Sequence, residues 1–366
     1  MGYQLSDRGR RALDGLFSHI AAINNAPRGV HHQFAVDPLA EQRLEDLQRQ
    51  EVAFLDRINM IPVRDLVGQV IGLLTEDFIA RRTDEAHLPR KPKYIGSLDD
   101  REYRLYETEF DTKLPWAIID AWSRFPDFAQ RYAKHVAISV ALSRISVGWN
   151  GLTAAANTDP AANPLGQDVN IGWLQKLRLE RADHVMGRNL VTAGGVTTAT
   201  GTAKPIYIGP NASLAAGDYK NIDALAYDLV SGLPDWARAS TEHVVIVGQD
   251  LVDEKYFPMI NRPLSDTIDG GRSTSDEITR DIVMSAKQIG GRPAVTVPKF
   301  PAKTMAITPL KNLSIYWQEG SRRRYIKDEP EIKASLVDYN SVNEGYVIED
   351  TDYMVMAENI TFGARP

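Results

Sequence analysis

Residues Asp127 to Val147 read DFAQRYAKHVAISVALSRISV. Phe128, Tyr132, Val136, Val140 and Ile145 recur at helical spacing, while Ala137, Ile138, Ala141 and Leu142 fill the other sides. The middle of this stretch is therefore apolar nearly all round, and a helix of that kind is buried on several sides. Phe125-Pro126 breaks the chain before it and Asn150-Gly151 ends it. Arg131, Lys134 and Arg144 exclude a membrane span, so no membrane partner is expected. One long buried helix in a chain of 366 residues with 20 Pro and 26 Gly spread along it predicts an α+β protein, not a helical bundle.

Upstream of that helix the pattern is extended from Ile61 to Pro115. Gly68 to Arg82 and Arg101 to Leu114 are strand-like runs separated by the polar stretch Thr83 to Asp100, the pattern of one long hairpin. On the return run Tyr103 and Leu105 share a face with Glu107 and Glu109, and Tyr106 and Phe110 share the other with Arg104 and Thr108. Neither face is a continuous core face. An isolated two-stranded ribbon is marginal in water, so this one must lie on its own body or rest on another molecule.

The N-terminus carries two helices. Leu13, Leu16, Phe17, Ile20 and Ile23 mark one face of an amphipathic helix over Ser6 to Asn25, broken by Pro27 and Gly29. Asp37-Pro38 reads as an N-cap followed by proline at the first helical position, opening a second helix that runs to about Ile58. Each has a single apolar stripe with an open joint between them, so both are expected to stand apart from a compact domain. Beyond Gly151 the reading is mixed. Gly166 to Glu180 and Asn221 to Val230 are helical, Thr192 to Thr202 is an exposed loop, and Val244 to Val247 is a buried strand leading through Gly248 into a helix. Later strands are Ala294 to Val297, Met305 to Ile307, Ser314 to Trp317, Tyr346 to Glu349 and Tyr353 to Ala357.

Cysteine is absent, which excludes disulfides and thiolate metal sites. The net charge is −6, but Met1 to His32 carries Arg8, Arg10, Arg11 and Arg28 against Asp7 and Asp14, a local +2 that leaves −8 for the rest. Counterion release favours a basic stripe in proteins that grip DNA. Only Arg81-Arg82 and Arg322-Arg323-Arg324 come close, and both read as solvated or intersubunit charges.

Catalytic signatures are missing. Val244 to Gly248 holds one glycine where a phosphate cradle needs several, and no Gly-rich loop ends in Lys and Ser/Thr. His31-His32 are adjacent and point different ways, and His19, His87, His135, His184 and His243 are scattered. Asp266, Asp269 and Gly270 lack the closing glutamate of a calcium loop. Asp99, Asp100 and Glu102 sit at the polar end of the ribbon, a poor place to raise a pKa by burial. No catalytic, cofactor-binding or metal-binding residue is assigned; the chain reads as a non-enzyme that needs no cofactor.

Several segments resemble the major capsid proteins of P-two-like tailed phages, in order along nearly the whole chain. They are Ile58 to Val63, Asp168 to Lys176, Val244 to Gly248 with Lys255 to Pro258, Ile289-Gly290 with Pro293 to Val295 and Phe300 to Ala302, Asn312 to Tyr316, Arg323-Arg324, and Tyr346 to Asp350. Leu190 to Lys204 has no counterpart and reads as a surface loop.

The resemblance implies the Hong Kong 97 capsid fold, divided here as an N-terminal helical segment (1–33), an N-terminal arm (34–60), an extended loop (61–115), a peripheral domain with a spine helix (116–150), an axial domain (151–320) and a return to the peripheral domain (321–366). It implies a virion protein of the Caudoviricetes that assembles in the host cytoplasm as pentamers and hexamers, closing an icosahedral shell around double-stranded DNA. The partners implied are further copies of itself, a phage scaffold protease, a portal protein, and packaged DNA by weak non-specific contact. The hairpin residues expected between subunits are Arg81, Arg82, Arg101, Tyr103, Tyr106 and Phe110. The family's N-terminal trimming implies a cut between Gly29 and Val36, near Gln33, Phe34 and Ala35, where an extended and exposed backbone suits a protease. The same fold also serves cellular encapsulating compartments, and particle contents discriminate the two.

Overall fold

The computed structural model describes residues 4–24, 26, 29–70, 80, 82, 101–125, 127–209, 218–260, 287–329, 334–363 and 365. Strands and helices are numbered in chain order. The larger sheet contains β1 (Phe34–Ala35), β2 (Asn59–Val63), β5 (Tyr106–Glu109), β6 (Thr112–Pro115), β16 (Leu313–Gln318), β17 (Arg323–Glu329) and β18 (Ser335–Ile348). Its order is β1-β17-β18-β16-β2, with β5 and β6 also on β18. A second sheet, in the order β13-β14-β12-β15-β19-β7, is built from β7 (Val185–Met186), β12 (Val244–Val247), β13 (Gln288–Ile289), β14 (Arg292–Thr296), β15 (Met305–Thr308) and β19 (Val355–Ala357). A small sheet joins β10 (Ile206–Ile208) to β11 (Asp218–Tyr219) and β20 (Ile360–Phe362), and two hairpins pair β3 (Val67–Gln69) with β4 (Glu102–Arg104) and β8 (Val191–Ala193) with β9 (Val196–Thr198).

The helices are α1 (Asp7–Ile23), α2 (Pro38–Glu51), α3 (Ala53–Arg57), α4 (Trp116–Trp122), α5 (Phe128–Asn150), α6 (Trp173–Glu180), α7 (Ile222–Ser231), α8 (Asp235–Arg238) and α9 (Gln249–Ile260). At ~1.5 Å per residue α5 is roughly 35 Å long, and it earns its all-round apolar surface by serving two cores. Phe128 and Tyr132 pack with Trp116, Ile119, Ile326 and Leu336. Ala141, Ile145, Val147 and Trp149 belong to another cluster with Leu55, Trp173, Leu177, Leu313, Ile315 and Tyr346. A third cluster lies under the second sheet, where Val245, Val247, Met305 and Ile307 meet Leu225, Leu229 and Leu251 of α7 and α9.

Glycine sets the crossing of α5 and α6. A Cβ on Gly148 would stand 2.4 Å from the Trp173 ring, and one on Gly172 would stand 2.4 Å from the Gly148 carbonyl oxygen. The close approach lets Trp173 stack edge-on to Trp149 at 4.9 Å and donate its indole N–H to the Ser314 carbonyl at 3.0 Å. The helix read over Gly166 to Glu180 begins only at Trp173. Its first part is irregular because Gly166 takes φ +75° and buried Asn170 spends its side chain on the Ile171 N–H and the Glu344 carbonyl.

Other expectations need correction. The second helix stops at Glu51 and restarts at Ala53, since Val52 is extended (φ −129°, ψ 103°). Thr192 to Thr202 is exposed over its first part, where β8 and β9 form a hairpin closed by Gly194 and Gly195 at positive φ, but Ala199 is fully buried in the core beside α6. The chain from Arg322 onward does not stay in one sheet: β17 and β18 lie in the larger sheet, while β19 pairs with β15 and β7, and β20 with β10. The N-terminal helix does not stand apart either. Leu13, Leu16 and Ile20 of α1 are buried against α4 and the first half of α5.

Candidate assembly surfaces

The second N-terminal helix is fastened to the body by a buried ionic cluster. Glu41, Glu45 and Gln48 fall at i, i+4 and i+7 on α2, so one face of that helix turns polar groups inward. They meet Arg144 of α5, Arg322 before β17 and Glu344 of β18, all buried. The Arg144 guanidinium donates from Nε to Glu344 Oε2 at 2.8 Å, and from Nη1 to Glu45 Oε2 and Gln48 Oε1 at 2.6 Å each. Arg322 donates to Glu45, and its Nε reaches Glu41 Oε1 at 3.4 Å. Tyr346 closes the cluster, donating its hydroxyl to the Arg144 carbonyl at 3.0 Å.

Three carboxylates thus face two guanidiniums in a buried space. Burial raises Glu41 and Glu344 above the usual carboxylate range, although Arg322 and Arg144 respectively pull them the other way. Burial would raise Glu45 too, but Arg144 and Arg322 together bring it below that range. The Arg144 charge is held by Glu344 and Glu45 against its own desolvation. A cluster sealed in this way has no access for a substrate; what it can do is fix α2 against α5 and the sheet.

Arg322, Arg323 and Arg324 do not behave as one run of solvated or intersubunit charges; the structure separates them. Arg322 is 1% exposed within the cluster, Arg324 pairs with Asp338 through Nη2 at 2.6 Å and Nε at 3.0 Å, and Arg323 is exposed. Burial and the Asp338 charge beside it also push the Tyr132 phenol up to about 12.

Four of the six ribbon residues expected between subunits pack within the chain itself. Arg101 donates to the carbonyls of Ile348 at 2.9 Å and Glu349 at 2.8 Å. Tyr103 is buried edge-on to Tyr316 at 5.1 Å. Tyr106 lies in β5, paired with Glu344 of β18. The Phe110 N–H donates to Asn340 O at 2.7 Å, and its ring lies under Arg144 at 5.6 Å. Arg82 is exposed, and Arg81 lies outside the described residues. The base of the ribbon, the short β3–β4 pair, is thus bound into the body through β5 and β6. Its faces lack a core pattern because β16 and β18 supply the missing one: Tyr103 and Leu105 cluster with Tyr316 of β16 and Val347 of β18.

At the expected processing region Gln33 is exposed, and Phe34 and Ala35 form β1, an edge strand paired with Arg324 and Arg323. Alongside it is an open cleft of about 510 Å³, with His31, His32 and Gln33 facing Glu107, Glu109 and Asp111. Among the described residues no group of three or more His, Cys, Asp or Glu side chains could hold a metal, and no helix is long and apolar enough to cross a membrane.

Over residues 12–360 the chain matches the family described as phage major capsid protein, P2 family. It is similar to the capsid protein of Escherichia phage P2, with 34% identity over 359 residues, 97% of this chain and 95% of that one. It is also similar to the major capsid protein of Serratia phage KSP20, with 31% identity over 98% of this chain and 97% of that one. Among solved structures it resembles a chain of the satellite phage P4 procapsid that includes the size determination (Sid) protein. The TM-score there is 0.74 at 33% identity, covering 96% of this chain and 98% of the other. The mixed α+β capsid fold expected from the sequence is the fold they share, and the chain belongs to the P2 family of phage major capsid proteins.

Proposed function

We infer that this chain is the subunit of an icosahedral phage shell, closed as pentamers and hexamers around double-stranded DNA. The observation that carries the reading is full-length membership of the capsid family, with an ordered likeness to a procapsid chain. Its mechanism is association without turnover. Obligate interfaces bury upward of roughly 2,000 Å² each, and closed symmetry lets head-to-tail contacts end in a shell instead of a fibre. In this reading the larger sheet with α5 is the peripheral domain, the second sheet the axial domain, and the ribbon beyond its anchored base the contact with a neighbouring subunit. Arg82, exposed at that end, remains assigned to that contact, as does Arg81 on the sequence alone.

The segment 1–33 is assigned to assembly with a phage scaffold protease that cuts near Gln33 to Ala35, an edge strand beside an open cleft. Capsids of this kind form in the host cytoplasm, fill through a portal protein and touch DNA only weakly, since an acidic body leaves the polyanion mobile. Electron microscopy of the chain expressed with its cognate scaffold tests the reading: closed icosahedral particles are expected. Monodisperse subunits or open sheets under those conditions would overturn it.

A further inference from the structure

Helix α1 is held in a built seat, by contacts that are specific along its whole length. At its start the Ser6 hydroxyl donates to Asp120 Oδ1 at 2.6 Å, joining the cap of α1 to a side chain of α4. The same hydroxyl accepts the Gly9 N–H at 3.1 Å. Gly9 lies against α4 so closely that a Cβ there would stand 2.1 Å from Asp120 Oδ1. Arg8 donates from Nε to the Ser123 carbonyl at 3.1 Å and from Nη2 to the Arg124 carbonyl at 3.3 Å, at the end of α4 where unpaired carbonyls favour a cation. Leu13, Leu16 and Ile20 then enter the groove of Trp116, Ile119, Phe128 and Tyr132. Val30 closes it, its carbonyl accepting the Ile326 N–H at 3.0 Å.

Apart from the Ser6–Gly9 cap, each of these contacts joins a residue before position 33 to one after position 100. The backbone at Gln33 to Ala35 takes no part in them: Phe34 and Ala35 pair with β17 on their own account, and toward α1 the stretch acts as a tether that raises its local concentration. A cavity of about 210 Å³ remains where α1 meets α2 and α5, beside Leu16, Ile20, Leu44, Tyr132 and Val136. That gap fits a docked ligand better than a wedge of continuous core.

We propose that the groove between α4, α5 and the β17–β18 edge is a binding site for an amphipathic helix, and that segment 1–32 stays in it as a second, non-covalent chain once the backbone is cut. The proposal rests on the trimming inferred above. Its consequence differs from simple loss: the +2 of the segment stays with the subunit, and the groove is never left bare.

The test uses the full chain with the recognition sequence of a site-specific protease inserted between His32 and Gln33, so that scission does not depend on the phage enzyme. After cutting, size exclusion and native mass measurement are expected to find the segment still bound, and denaturing mass measurement to find two chains. Gly9→Leu in the same chain is expected to release it. Labelled synthetic peptide 1–32, added in excess to the cut protein, is expected to exchange in saturably. Release of the unsubstituted segment on cutting, or no saturable exchange, would overturn the proposal even if the Gly9→Leu chain failed to fold. Intact mass of DNA-filled heads tests the trimming separately: subunits still beginning at Met1 or Gly2 would remove the natural cut and leave the seat to be judged by the engineered one.

Discussion

Arg144 shows how a single side chain can be misjudged from its neighbours in sequence. Set in an apolar helix it argues only against a membrane, yet it is wholly buried and holds two glutamates from different elements. Removing one partner of such a buried pair costs about 3–5 kcal/mol because the other charges are left uncompensated. Arg144→Ala is therefore expected to lower the urea midpoint by that amount of stability, with little change in slope. The carboxylates predict a pH dependence of both signs. Glu41 and Glu344 sit above 4.5 in the folded chain, so the folded state binds more protons and their contribution falls as pH rises through that raised range. Glu45 sits below 4.5, so its contribution is present above that value and is lost as pH falls through its lowered one. Unfolding free energy measured from about pH 4 to pH 7 is expected to decline less steeply with rising pH in Glu41→Gln than in the parent. An identical slope would show that Glu41 carries no proton in this range.

Elements whose buried face is apolar were readable, and those whose buried face is polar were not. The stripe of α1 and the all-round surface of α5 led to helices at nearly the observed bounds. Strand β17 and the first part of β18 carry no such signal. On β18 the inward residues are Leu336, Asp338, Asn340, Val342 and Glu344, while Val337 and Tyr339 lie on the outer side, so alternation points the wrong way. Of those inward polar groups, Asp338 is matched by Arg324 and Glu344 by Arg144, partners that no local window contains. The face of α2 misleads likewise, with Glu41 buried and Leu39 64% exposed. For the ribbon, the sequence conveyed that it lacks a core face but not where it is anchored. Removing 71–100 is expected to leave a folded subunit that cannot close a shell, seen as a cooperative melt with no closed particles. Closed particles of normal size would end the intersubunit assignment. Removing Arg101 to Leu114 as well is expected to unfold the chain, because it strips β5 and β6 from β18 and Tyr103 from its pocket.

For the whole molecule, the net charge of −6, with Arg144, Arg322 and Arg324 engaged internally, predicts how the shell wall meets its contents. Disassembled subunits are expected to bind duplex DNA weakly and without sequence preference, with affinity vanishing near physiological salt in a titration. Tight binding that survives that salt would return exposed Arg323 to the role of a phosphate contact. The larger sheet has a further consequence, in mechanics. Strand β18 carries β17, β6, β5 and β16, and β16 runs parallel to β2 over five residue pairs from Asn59 to Val63. A pull directed along those strands loads the rungs together, in shear, whereas a pull across them would open one rung after another. A wall stretched from within by a confined polymer therefore meets its stiffest response wherever the tension runs along β18, and the arm leading into β2 becomes a strap that tightens under load.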